Sequence, residues 1–397
     1  MTIRDRFSRL SRLGASLALA LTASITNLRA DDMTAEQKQP CGSPAALDDG
    51  WSIASPDSVG MDGERLCGIA ARLNLRSTEV HSVVVARHGK LVFEQYFTGL
   101  DQPWGQPEGR TEFTATTKHD MRSATKSVTA LLVGIAIDRK LIASAVEPVV
   151  KFFPEHQSVK SAGWDAITLH HLLTMSSGIQ WDETLSWNDP NNDEPHLAFD
   201  ADPIGYVLSK PIIAPPDTLW TYNGGGTDLL GNIIEQVSGK SLESFARETL
   251  FEPLGITDFE WKTYKNGKIA AASGLRLRPR DAAKIGQLVL DHGRWREQQV
   301  VPALWMDQSI MPHFQAVGYF GGTLFYGHQW WIGRSLVAGK EVKWVGAFGW
   351  GGQRIIIVPD LDVVMMTTAA QYGQPKEGLA AMDILANIII PAVRDAR

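Results

Sequence analysis

The chain has 397 residues, 44% of them hydrophobic and 21% charged, and carries a net charge of −6. That is enough for one large domain or two interlocked ones around a sizeable core. An acidic chain with no basic stripe is a poor candidate for binding nucleic acid or an anionic membrane surface.

Arg4, Arg6, Arg9 and Arg12 precede an apolar run from Leu13 to about Ile25, and small or neutral residues lead to Ala30. The pattern predicts a secretory signal peptide over residues 1–30, cut after Ala30, and a periplasmic or secreted product. The run is too short to span a bilayer, so no stable membrane anchor is expected. Its removal takes away five arginines and one aspartate and leaves a net charge of −10. In an oxidising compartment Cys41 and Cys67 could pair; the alternative is that Cys67 is a small buried residue on a helix. There is no H-E-x-x-H and no C-x-x-C, so neither a metal nor another cofactor is expected.

Residues 31–60 are polar, a tail that wraps rather than folds alone. Asp62 can cap a helix whose apolar face is Leu66, Ile69, Ala70 and Leu73. Two β-rich runs from His81 to Phe97 flank a turn at His88-Gly89 and read as a hairpin. After a polar loop, Val128, Leu131, Leu132 and Ile135 mark a helix by their i, i+3, i+4, i+7 spacing. Thr168 can cap a short helix bearing Leu169, Leu172 and Leu173, closed by Gly178. Residues 181–218 are acidic and little periodic, as expected of a lid or pocket wall. Helices are then predicted from Thr227 to Ser238, from Ser241 through Leu250 and from Asp281 to Gly293. Strands return at Tyr326 to Gly333, Glu341 to Phe348, Arg354 to Pro359 and Asp362 to Thr368, before a last helix carrying Leu379, Met382, Leu385, Ile388 and Ile389.

Strands at both ends and helices between them predict an α+β fold: one antiparallel sheet, terminal helices packed on it, and an inserted helical region. The expected division is a sheet domain from 45–110 and 265–397 and a helical domain over 111–264, with a site in the cleft between them.

Three clusters carry chemistry. The chain holds a single S-x-x-K, Ser123 to Lys126, at the start of the Val128 helix. A spacing of three puts both side chains on one helix face. The first turn favours negative charge that develops on the serine. A lysine facing the core is desolvated, which lowers its pKa and makes it a base. The second cluster is Trp220-Thr-Tyr-Asn-Gly-Gly-Gly226, where Tyr222 in a glycine-rich turn could take or relay the serine proton. The third is Phe348-Gly-Trp-Gly-Gly-Gln353 at the start of a strand, where glycines allow close approach of a substrate backbone. The amide N–H groups of Ser123 and Gln353 could form an oxyanion hole there. Asp182 and Glu183, following Trp181, could bind an ammonium group if they face the cleft; the alternative is a solvated acidic loop.

Together these clusters resemble the serine β-lactamase and penicillin-binding-protein superfamily, on the class C-like branch that holds family VIII carboxylesterases and 6-aminohexanoate-dimer hydrolases. The resemblance runs from about Trp51 onward and is carried by Arg122-Ser-Ala-Thr-Lys-Ser127, Leu172-Leu-Thr-Met-Ser-Ser-Gly178, Leu229-Leu-Gly-Asn-Ile-Ile-Glu235 and Pro253-Leu-Gly-Ile256, in the family's order. It implies a β-lactamase/transpeptidase-like fold, with Ser123 as nucleophile, Lys126 as its base partner and Tyr222 as second base or acid. It also implies a small ester or amide substrate, placed by Trp181, Asp182, Asn223, Trp350, Gly351 and Gly352. The branch usually reads Y-x-N, where this chain has Gly224 with Asn223 displaced by one. Its third box usually reads K-T-G or H-x-G, where this chain has Trp350-Gly351-Gly352. Loss of that lysine disfavours carboxylate-bearing β-lactams and peptidoglycan termini unless Arg122, Arg276 or Arg354 supplies a cation. A class C-like β-lactamase or D,D-peptidase is the second enzyme reading. A non-catalytic cell-wall sensor is the third, opposed by the intact Ser123, Lys126 and Tyr222.

Overall fold

The computed structural model describes residues 41–395 apart from 75–77, 107–108 and 375–376. The expected signal peptide lies outside the described residues. Nine strands build one sheet: β1 (Ser52–Ile53), β2 (Val80–Arg87), β3 (Lys90–Tyr96), β4 (Phe314–Gln315), β5 (Phe325–Tyr326), β6 (Trp331–Val337), β7 (Lys340–Gly349), β8 (Gln353–Val358) and β9 (Val363–Ala369). Their order is β1-β3-β2-β9-β8-β7-β6-β5-β4, so the early hairpin completes a sheet made mostly by the late strands. All neighbours are antiparallel except β1 and β3.

Every residue of β2 is buried, because both faces of the sheet are covered. Its side chains alternate between two cores. Val83 and Val85 pack with Leu66, Ile69 and Leu73 of helix α1 (Gly63–Asn74) and with Ile384 of the C-terminal helix. Val84 and Ala86 face the other way, toward Ile285 and Leu288 of a helix over Pro279–Leu290. Each fully buried Val, Ile or Leu contributes roughly 1.5–3 kcal/mol, so a one-residue slip of β2 would exchange two sets of fitted contacts. The hairpin turn falls at His88-Gly89, both with positive φ (52° and 68°), as a tight two-residue connection needs. Asp62 caps α1 through its carboxylate, which accepts from the Arg65 N–H at 3.0 Å. Cys67 on α1 forms a disulfide with Cys41.

Helices α2 (Thr125–Asp138), α3 (Leu169–Leu173) and α4 (Gly224–Ser238) lie between the two groups of strands. Several boundaries differ from expectation. Helix α4 starts at Gly224 rather than Thr227, because the Asn223 side chain caps it by accepting from Gly226 N–H at 2.9 Å. The next long helix starts at Pro279 rather than Asp281, since proline fits a first helical turn. Asp281 instead forms a buried ion pair with Lys284 at 2.8 Å. Within 181–218 the chain makes two short helices, Glu194–Phe199 and Pro203–Ser209, each too brief to show a period.

Candidate active site

Ser123 sits in one 3-10 turn, Arg122–Ala124, that runs directly into α2. The turn is anchored by Met121, whose N–H donates to the Leu275 carbonyl at 2.9 Å. Helix α2 is apolar around its circumference and buried through Ala136, as such helices are. Lys126 is therefore cut off from solvent, 1% exposed. Its Nζ donates to Ser123 Oγ at 3.1 Å and to the Ala272 carbonyl at 3.4 Å. It also lies 3.8 Å from Glu183 Oε1 and 4.8 Å from the centre of the Tyr222 ring.

The structure corrects the expected electrostatics of this lysine. Burial does push its pKa down. Tyr222 and the carboxylates of Glu183, Glu194 and Asp228 more than reverse that effect, and Lys126 lies above the ordinary lysine value. These partners favour its charged form. The Tyr222 phenol is also raised: burial dominates, Lys126 opposes it and Glu183 adds to it. Around Tyr222 stand Trp331, Tyr319 and Trp220, with ring centres 5.7, 5.3 and 6.1 Å away. Three of the chain's many aromatics thus wall the candidate site rather than fill the core far from it.

The third cluster ends strand β7. A Cβ built on Gly349 would stand 2.0 Å from the Met121 carbonyl oxygen, so only glycine lets this strand end meet the Ser123 turn. Trp350 is 51% exposed and packs against Tyr372, ring centres 4.9 Å apart, with the Arg122 guanidinium 5.8 Å from its ring. Gly351 and Gly352 take φ of 91° and 101°, which side chains rarely adopt. Glu377 accepts from the Gly351 N–H at 2.7 Å. Gln353 opens β8, and its side-chain amide turns inward to the carbonyls of Trp350 and Ala369 at 2.9 and 2.8 Å.

The remaining expected site residues fall into two groups. Trp181 stands behind the centre, its indole N–H donating to Glu183 Oε2 at 2.8 Å. Asp182 turns away, accepting from the backbone and side chain of Thr184 at 2.8 and 2.7 Å. It lines a separate cleft of about 460 Å³ shared with Asp193, Tyr206 and Lys210. Of the two acids weighed for an ammonium group, then, only Glu183 points at the centre. The Asn223 carbonyl is committed to capping α4, and its amide nitrogen is buried without a partner among the described residues. Arg276 is engaged with Asp120 at 3.1 Å. Arg354 is buried under the third cluster, donating to the carbonyls of Gly349 and Gln353 at 2.7 and 2.8 Å. Arg122 pairs with Asp120 at 3.1 Å beside Trp350.

The profile of the family described as Beta-lactamase matches residues 69–386, most of the chain. The chain belongs to the beta-lactamase family. It is 32% identical to lovastatin esterase of Penicillium rubens over 135 residues, 32% of either protein, so the match spans about a third of that relative. It is 25% identical to 6-aminohexanoate-dimer hydrolase of Paenarthrobacter ureafaciens over 324 residues, 76% of each. A solved putative 6-aminohexanoate-dimer hydrolase from Bacillus anthracis superposes with a TM-score of 0.67 at 20% identity, covering 88% of this chain and 87% of that one.

On this beta-lactamase fold one residue outside the three clusters ties together the helices that follow the first two. Gln329 is buried, with φ of 64°. Its carbonyl accepts from Ser127 Oγ at 2.6 Å, its side-chain oxygen from Thr227 Oγ1 at 3.0 Å, and its amide donates to Leu172 O at 2.9 Å. It thus links α2, α4 and α3. Its place inside the strand run expected from Tyr326 to Gly333 gave no sign of it. Asp228 could have been noticed, as one acid beside the apolar stripe of α4; burial pushes it up to about 7.

The Gly349 contact gives a direct expectation. Gly349→Ala should cost about 1–3 kcal/mol through overpacking and move the third cluster away from Ser123. Thermal unfolding and ester turnover should then fall together. Turnover and Tm both equal to wild type would contradict the fit described.

Proposed function

We propose that the protein is a periplasmic or secreted serine hydrolase that cleaves small uncharged esters or amides through an acyl-enzyme on Ser123. The observation that carries this reading is the 3.1 Å contact of Lys126 Nζ with Ser123 Oγ beside Tyr222. Ser123 attacks the carbonyl, the N–H groups of Ser123 and Gln353 hold the oxyanion, and water releases the acyl group. Lys126 and Tyr222 serve as the base and acid pair, with Lys126 starting as an ammonium. The names of the esterase and amide-hydrolase relatives agree with this class. The Cys41–Cys67 disulfide supports an oxidising compartment, in line with the expected signal peptide.

The substrate side follows from the third cluster. A lysine there would give a carboxylate a charge-assisted hydrogen bond of about 1.5–3 kcal/mol. Trp350 offers an aromatic face and one N–H, so a carboxylate set against it loses water without full compensation. Arg276 and Arg122 already face Asp120, and Arg354 is occupied by backbone carbonyls. Uncharged short-chain esters lose nothing by this exchange. On one enzyme preparation, kcat/KM for p-nitrophenyl butyrate should exceed that for a chromogenic cephalosporin by about a hundredfold or more, roughly 2.7 kcal/mol in transition-state binding. Equal turnover of the cephalosporin would put a β-lactamase first.

A further inference from the structure

The surroundings of Lys126 favour its charged form, so the proposed acyl-enzyme chemistry needs a further group that can take a proton from it. An ammonium cannot take the Ser123 proton unless it gives one up. Tyr222 is raised as well, mainly by burial, and its hydroxyl is hydrogen-bonded to Ser123 and Lys126. Among the described residues the ion pair of Lys126 is with Glu183, whose side chain is 6% exposed.

The two oxygens of Glu183 have different work. Oε2 accepts from the Gly224 N–H at 2.6 Å and from the Trp181 indole at 2.8 Å. These bonds fix the carboxylate against the first turn of α4, next to Tyr222. Oε1 lies 3.8 Å from Lys126 Nζ. Lys126 Nζ thus stands within 3.1 Å of Ser123 Oγ and 3.8 Å of Glu183 Oε1.

We propose that Glu183 is the acceptor of the Ser123 proton, acting through Lys126. It is a positioning residue in the sense that it reaches the nucleophile only through Lys126. The inference rests on the acyl-enzyme reading of Ser123. In the step, Lys126 passes one proton to Glu183 Oε1 as it receives the proton of Ser123. The oxygen lone pair of Ser123 forms the new C–O bond, and the carbonyl π pair moves onto the substrate oxygen. On collapse the bond to the leaving group breaks. The departing alkoxide takes a proton from the Tyr222 hydroxyl, Lys126 resupplies Tyr222, and Glu183 returns the stored proton to Lys126. Catalytic contacts in an unliganded site are often long, and one water can bridge such a gap.

The other acids near Lys126 suit this role less well. Asp228 accepts from Ala272 N–H at 2.9 Å and is pushed up to about 7, so part of it is already protonated at neutral pH. Glu194 is raised by burial and by the charge of Glu183. The charged and titratable groups that interact with Glu183 are thus Lys126, Tyr222 and Glu194, together with Tyr319 and Tyr326, which are raised first by burial and further by its charge.

The test is Glu183→Gln, which keeps an oxygen for the N–H groups of Gly224 and Trp181 but removes the charge. The readout is kcat/KM for p-nitrophenyl butyrate across pH, with Tm measured alongside. At neutral pH the variant should lose about 10²–10⁴-fold. Its residual rate should climb with pH through the alkaline range, as Lys126 itself begins to lose its proton, where wild type holds a plateau. Glu183→Asp, which restores a carboxylate at a longer reach, should return part of the neutral rate and covers the case in which the glutamine variant does not fold. A glutamine variant within threefold of wild type with the same profile would overturn the proposal while leaving Ser123 as nucleophile. So would an equal loss at every pH, which is the mark of a brace, or an aspartate variant no better than the glutamine one.

Discussion

Lys126→Ala should lower kcat for ester hydrolysis by about 10²–10⁴-fold, with a much smaller change in KM, because the ammonium acts on proton transfer in the transition state. It should also destabilise the protein. Lys126 is buried, and Glu183 faces it directly at 3.8 Å. Removing one partner of a buried ion pair typically costs about 3–5 kcal/mol. Tyr222→Phe keeps the ring that packs between Tyr319 and Trp331 and removes only the hydroxyl. It should therefore match the loss in kcat without the loss in Tm. The two residues sit within 4.8 Å of each other and act on one proton. Their losses should not add in the double variant, and additive losses would mean that they do not work as a unit.

The sheet was legible where a continuous run of β-branched residues fills a strand buried on both faces, as in β2, and where His88-Gly89 marks a two-residue turn. The nucleophile turn was legible because serine and lysine lie three apart on one helix. The inserted helices over 194–209 were not, because each is shorter than the window that reveals a period. The start of α4 was missed because three glycines read as a turn. In the fold they are the first turn of the helix, and Gly225 leaves room for the Trp181 ring, which a Cβ would meet at 2.6 Å. The charge of Lys126 was misread for a different reason. Desolvation can be inferred from one helix face, but Glu183 comes from a loop and Glu194 from the start of a short helix, and sequence alone does not say that they converge on the lysine. Gln329 is invisible for the same reason, since its three partners come from three separate helices.

The central claim is that Ser123 carries the acyl group, and intact-mass spectrometry tests it most directly. The protein is treated with a fluorophosphonate, and the same is done with Ser123→Ala. That change in a short turn before α2 should leave the fold and Tm near wild type. Wild type should gain one adduct mass, and the variant should gain none and show no ester turnover. An alanine variant that still takes up the adduct, or still hydrolyses the ester at the wild-type rate, would contradict the account.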